Sequence, residues 1–348
     1  MDRMMWIHAD ENLDELREIR YILNGDIEIN TAQDAKLVDN SWSITLSEHE
    51  WNKNPVRIGH YIYSPGTEWG GPCTYIKHET AYKKVTLRGP TWRGLLFQRR
   101  IEPDPGEAYL VYDTVDANLM VADLIGDAFS GIFDVTDQRA GVDVSASFRY
   151  QSLAAGISNT LRGAGLRLSM TYDNVSRKVL TAAVPDGDQA DAVELSQDYG
   201  VQFTSELGNL ETANHCLALG SGELTDRLVR NVYRDIDGTI STTRPAWLTD
   251  GLLRTTLLDY PNAEDEAELL KTATERLTEC SDGRSFSIDT KQAGVELELG
   301  DRVAIRDRMT GLRATAEVRR RILTIADGKV KITDGVTTIS VDPEEEGE

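Results

Sequence analysis

The sequence predicts a β-rich α+β protein: two small antiparallel β-barrels at the two ends of the chain, with α+β (helix plus hairpin) domains between them. Two observations carry this. Runs with a two-residue apolar period fill both ends, and the middle switches to a helical period at residues 121–129, again at 153–161 and most clearly at 262–280. Turn residues separate the short runs at the spacing of antiparallel sheets.

The first barrel is expected over residues 1–112. Met4–Ala9 reads as a strand and Glu11–Glu18 as a polar, helix-compatible stretch. Ile19–Leu23 and Asp26–Asn30 flank Asn24-Gly25, a pair that tolerates positive φ and signals a hairpin turn. Trp42–Leu46, Val56–Tyr63, Thr74–His78 and Lys84–Arg88 alternate in turn, with a Gly- and Pro-rich loop at Ser64–Cys73. Gly89-Pro90 ends the alternation, and Trp92, Leu95, Leu96 and Arg99 recur at helical spacing. This short helix is expected to plug an open barrel end with Trp92 and Leu95–Phe97.

The α+β insert is expected over 113–192. Val121, Leu124, Ile125, Ala128 and Phe129 form one helical stripe, with Asp116 at its start and Gly131 at its end. A second helix, Leu153–Leu161, has Ser152 as N-cap and Gly163/Gly165 as its stop. It leads into a hairpin of Leu166–Tyr172 and Lys178–Val184 that turns at Asp173-Asn174. A further domain is expected over 193–280: strand-like from Val193 to Asp259, clearest at Ala213–Leu219 and Leu228–Tyr233, followed by a helix from Asn262 to Cys280. That helix has acidic residues in its first turn and Lys271 and Arg276 towards its end, as the helix dipole favours. The second barrel, 281–341, takes Ser285–Ile288, Val295–Leu299, Arg302–Ile305, Ala314–Ala326 and Lys329–Thr333, with a turn at Asp327-Gly328. Residues 342–348 form an acidic tail expected to be disordered.

At 348 residues the chain exceeds one ordinary core, and its 40% hydrophobic content argues for packed interiors. The 58 Asp and Glu against 37 Lys and Arg leave a formal net charge of −21, which opposes stable binding to nucleic acid or anionic membrane. Cys73, Cys216 and Cys280 are odd in number and far apart, so neither a disulfide framework nor a zinc site is expected. The opening residues lack the order of a signal peptide, and synthesis in a reducing cytoplasm is expected.

No catalytic motif is complete. His49-Glu50 begins a zincin pattern, but Lys53 stands where the second histidine belongs. His8, His60, His78 and His215 are scattered. Gly220-Ser221-Gly222 lacks the frame of a nucleophile elbow and reads as a tight loop. Asp186, Asp188 and Asp191 miss the glycine and closing glutamate of a calcium loop. No cofactor or metal is expected. Trp42, Trp51 and Trp92 read as core or interface anchors, and Trp69, in the glycine-rich loop, as a partner contact.

The run Val85–Ile101 with the helix after it, the segment Ala213–Glu223 leading to Arg227, and the closing Leu297–Val303 together resemble the tail-hub, or tail-associated, minor tail proteins of long-tailed (siphovirus-type) phages. These are related in fold to the baseplate hub of contractile tails. The resemblance covers roughly residues 4–341. It implies a structural protein and not an enzyme: a homotrimer whose paired barrels build a pseudo-sixfold ring at the virion tail tip. The ring would join or close the tail tube and pass DNA. The implied partners are a distal tail ring, a tape measure and further minor tail proteins, with DNA only in passage and no membrane span. Spike or lysin functions would then reside on another protein. Three chains would carry three times −21, or −63, in formal charge, a wall from which DNA slides; the alternative is that acidity only maintains solubility. Trp92, Arg93, Arg99 and Arg100 are the expected subunit contacts, with an ordinary solvated helix edge as the other reading of the arginines. The runner-up function is a tail-tip-associated acidic peptidoglycan hydrolase built on a carboxylate pair. A secreted carbohydrate-binding module is disfavoured by the missing signal peptide.

Overall fold

The computed structural model describes residues 4–32, 35–126, 129, 131–187, 194–196, 203–206, 212–236, 238–263, 265–280, 285–288, 297–307, 309 and 312–341. Asp188 and Asp191 of the incomplete calcium-loop pattern and the acidic tail at 342–348 lie outside them.

The largest layer is a ten-stranded sheet that joins the two ends of the chain. Strands Ser41–Ser47 and Lys84–Pro90 alternate because one face is buried, placing Trp42, Ile44, Leu46, Val85 and Leu87 in the core. The long hairpin Leu312–Ala326 and Lys329–Val341 turns at Asp327-Gly328, as its sequence predicts. Its first strand pairs with Asn24–Asn30, setting Leu323 opposite Ile27. The terminal blocks expected as two barrels are thus linked edge to edge, and no ladder among the described strands closes on its own first strand. One hydrophobic cluster runs through both blocks, from Trp6 to Val336.

Several local expectations change. Asn24-Gly25 is not a hairpin turn but the start of strand Asn24–Asn30, where a Cβ on Gly25 would meet Ile325 Cδ1 at 3.0 Å. Residues 11–18 are not helical. Asp10 Oδ1 accepts the Asn12 and Asp14 N–H groups, both at 2.9 Å, and folds the chain into a tight hairpin of Trp6–Ala9 with Glu15–Ile19. In the expected strand over 56–63 only Tyr61–Tyr63 is extended, and residues 297–300 form a turn.

The helices are α1 (Glu48–Trp51), α2 (Trp92–Phe97), α3 (Ala117–Ile125), α4 (Leu153–Gly163) and α5 (Glu266–Glu279). Asp116 caps α3 as expected, but Gly126 at φ 55° ends it, five residues before Gly131. Ser152 caps α4, whose Leu153, Ala154, Ile157 and Leu161 are buried. Both helices pack with the hairpin Leu166–Asp173 and Lys178–Pro185 in a second core. α5 is capped by Asp265, not Asn262, because the Asp265 carboxylate accepts the Glu268 N–H at 2.7 Å. It lays Leu269, Ala273 and Leu277 on a four-stranded sheet of Val229–Arg234, His215–Leu219 and Thr255–Asp259, with Ile240–Ser241 at one edge.

Candidate functional site

The α2 stretch around which the sequence is organised lies between the small N-terminal sheet and the insert. Thr91 caps α2 by accepting the Gly94 N–H at 3.1 Å. Trp92 is fully buried and stacks between Tyr61 and Tyr172, each ring 5.7 Å away. Arg93, 2% exposed, donates from Nε to Glu68 at 2.7 Å and from Nη2 to the Leu168 carbonyl at 2.9 Å. Trp92 and Arg93, two of the four side chains expected at a subunit contact, are therefore buried within the chain, where they tie α2 to the hairpin. Trp69, expected to meet a partner, is also buried; the Arg321 guanidinium lies 5.9 Å from its ring centre. Arg99 and Arg100 remain exposed at the end of α2, with Arg99 5.6 Å from the Phe129 ring.

Beside α2 runs a charged seam between the insert and the C-terminal strands. Arg162 donates from Nη2 to the Thr31 carbonyl at 2.6 Å, and its Nε lies 3.9 Å from Glu317. Glu317 also receives Arg319 at 2.9 Å. Arg167 reaches Glu298 at 2.5 Å and the Leu299 carbonyl at 3.0 Å. Arg302 stands 3.9 Å from Asp186 and donates its backbone N–H to the Gly187 carbonyl at 2.8 Å. Burial, reinforced by Glu317, pushes the Asp186 carboxyl above its ordinary range; burial does the same to Asp301. Burial and neighbouring Arg319 lower the Arg162 guanidinium. Asp186 Oδ2 and the Nε groups of Arg162, Arg167 and Arg302 have no hydrogen-bond partner, so the seam holds charge that its own side chains do not fully satisfy.

A cleft of about 230 Å³ opens on this seam, lined among others by Thr67, Trp69, Arg167, Ser169, Thr171 and Arg321. Its lining contains no histidine or cysteine, so Ser169 and Thr171 stand there without an imidazole base. Elsewhere the candidate chemistry is absorbed by structure. Glu50 of the partial zincin pattern is buried and bound by Arg17 at 2.6 Å and Lys53 at 2.5 Å. His8 and His60 bond to each other at 2.8 Å. His78 bonds Glu48 at 2.9 Å, and His215 bonds Thr255 and Asn231 at 2.8 and 2.9 Å. Ser221 sits in a tight loop, its carbonyl accepting the Leu228 N–H at 2.8 Å. Burial raises the Cys73 thiol to about 11 and also raises Cys216. Among the described residues no three His, Cys, Asp or Glu side chains gather where an ion would sit, and no helix is long and apolar enough to cross a membrane.

The seam was not singled out in the sequence. Its signals are present: Arg167 is the one charged residue among the outward positions between Leu166 and Tyr172, and Glu317 is followed, after Val318, by three consecutive arginines in an acidic chain. Neither shows that these residues meet, because their separations of about 130 to 150 positions are closed only by folding.

No protein-family model matches the chain, and comparison with curated proteins finds no match either. Solved structures do match. The 43 kDa tail protein of prophage MuSo2 from Shewanella oneidensis is 9% identical, with a TM-score of 0.56 over 96% of this chain and 98% of that one. The tail protein from Neisseria meningitidis is 14% identical, with a TM-score of 0.50 over 97% of each chain. At these identities the shared property is the fold, and it extends over nearly the whole length. The expected resemblance to tail proteins holds at the level of the fold, which this chain shares with these two tail proteins.

Proposed function

We propose that the chain is a structural component of a phage tail tip, a baseplate-hub subunit that assembles as a trimer into a pseudo-sixfold ring. The observation that carries this reading is the full-length likeness in fold to prophage tail proteins. The ten-stranded sheet supports it, since pairing of Leu312–Ala326 with Asn24–Asn30 brings the two ends of the chain into one layer suited to a ring wall. In this reading the terminal blocks, 1–112 and 281–341, are the two barrel-like modules. The blocks 113–192 and 193–280 project from them, and residues 342–348 are an appendage. Arg99 and Arg100, just beyond α2, are the exposed cations left to meet a neighbouring subunit. The ring joins or closes the tail tube, contacts a distal tail ring, a tape measure and further minor tail proteins, and passes DNA along an acidic wall that does not hold it. No chemistry is asked of the chain.

Light scattering of the purified protein tests this: the expected mass is that of three chains, or of a larger ring when tail partners are added. A monomer at all concentrations, or clearing of bacterial cell wall in a zymogram that a single Asp or Glu substitution abolishes, would replace the ring with the hydrolase.

A further inference from the structure

The four-stranded sheet under α5 leaves one edge open. Among the described residues Thr255–Asp259 has a single ladder partner, the parallel strand His215–Leu219. Along such a strand, alternate residues turn their backbone groups to opposite sides. The Arg254 carbonyl accepts the His215 N–H, and Tyr260 N–H donates to Leu219. The even-numbered positions therefore face His215–Leu219. The N–H and C=O groups of Thr255, Leu257 and Asp259 point away from the sheet, where no described residue pairs with them. Leu257 is 57% exposed on the face opposite α5, in register with Leu217 and, beyond it, Asn231.

Two other edge strands of this chain are guarded by charge: Glu15–Ile19 carries Glu15, Arg17 and Glu18, and Tyr75–Glu79 carries Lys77, His78 and Glu79. Thr255–Asp259 carries one charge, at its end, and Arg227 engages it. An edge without such protection is a template for another strand. The charge around it selects the partner. Residues 212–280 as a block hold twelve Asp and Glu against seven Lys and Arg, so a second copy of this net-acidic block is repelled and a cationic segment is drawn in.

We propose that the edge Thr255–Asp259 takes up an extended, basic segment of another protein as a fifth strand, with an aliphatic side chain of that segment laid beside Leu257. This goes beyond the ring assignment and does not depend on it.

The test uses the full chain and a fluorescein-labelled peptide of four Lys-Val repeats, with four Glu-Val repeats as control, read by anisotropy. Leu257→Pro removes an outward N–H that the internal ladder does not use, the position at which an edge strand accepts proline. The wild type is expected to bind the Lys-Val peptide, more weakly with added salt, and not the Glu-Val peptide. Leu257→Pro is expected to weaken binding by at least ~10-fold at unchanged thermal stability. If Leu257→Pro lowers the Tm, Leu257→Lys keeps the backbone and serves instead, with the same ~10-fold loss expected from like-charge repulsion. No binding by the wild type, equal binding of the two peptides, or wild-type affinity in the Leu257→Lys variant would each overturn the proposal. Self-association of the wild type that Leu257→Pro abolishes would assign the edge to a second copy and overturn it as well.

Discussion

His8 and His60 share a single bond between their rings, His8 Nε2 to His60 Nδ1 at 2.8 Å, with Glu11 3.5 Å from the far nitrogen of His60. Burial, His60 and Arg17 together lower the His8 pKa to about 4, against a small opposing pull from Asp10. A histidine depressed in the fold contributes stability that is present above its unfolded pKa, near 6.5, and lost as pH falls towards 4. Thermal unfolding followed between pH 7 and 4 should show a progressive loss reaching at most about 3 kcal/mol. His8→Gln, which keeps a partner for His60, should flatten that slope. A wild-type Tm constant over this window would contradict the account. Asp186 has the opposite sign. Its carboxyl is raised in the fold, so its contribution is present below the unfolded pKa and lost as pH rises through the folded one. Asp186→Asn is therefore expected to raise the Tm at pH 7 and to leave it unchanged below about pH 3, as scanning calorimetry at the two pH values would show.

At the scale of elements, two glycines let strands Gly70–Pro72 and Lys84–Pro90 cross at backbone contact. A Cβ on Gly89 would lie 1.8 Å from the Pro72 carbonyl oxygen, and one on Gly71 would lie 2.0 Å from that of Pro90. Backbone cannot yield as a side chain can, so Gly89→Ala should cost upwards of about 3 kcal/mol. It should appear as a large drop in Tm or as insoluble protein, whereas Gly131→Ala, with open space around it, should be silent. Gly89-Pro90 was legible as the end of the strand alternation. The crossing itself was not, because Gly71 sits in a loop whose Gly and Pro content reads equally well as a surface excursion. Helix stripes were legible for the same reason that strand alternation was: each is a local record of one buried face. Caps were less so, since Asn262 and Asp265 both suit the role and only the path of the chain chooses.

Across the whole molecule, the ladder from Asn24–Asn30 to Leu312–Ala326 joins the two terminal blocks in one sheet. Native-state hydrogen exchange should give the Ile27 and Leu323 amides the same opening free energy, rising and falling together with denaturant. Separate stabilities for the two would mean that the terminal blocks fold as independent modules and that the shared sheet does not couple them. Trp92 and Arg93, expected at a subunit contact as an aromatic anchor and an interface cation, are engaged within the chain. Such residues are as useful in joining two layers of one chain as in joining two chains, and here Tyr172 and Leu168 of the hairpin take them.

The sequence by itself determined the β-rich α+β class, the main hairpins and the insert helices with their Asp116 and Ser152 caps, because these rest on period and on turn chemistry within some twenty residues. Only the tertiary structure decided that Asn24-Gly25 is strand, that the two ends share a sheet, that Arg162 and Arg167 meet Glu317 and Glu298, and that Thr255–Asp259 is left with an open edge. Each of these is a pairing between segments far apart in the chain, and a pattern read along one segment carries no information about which other segment will cover it.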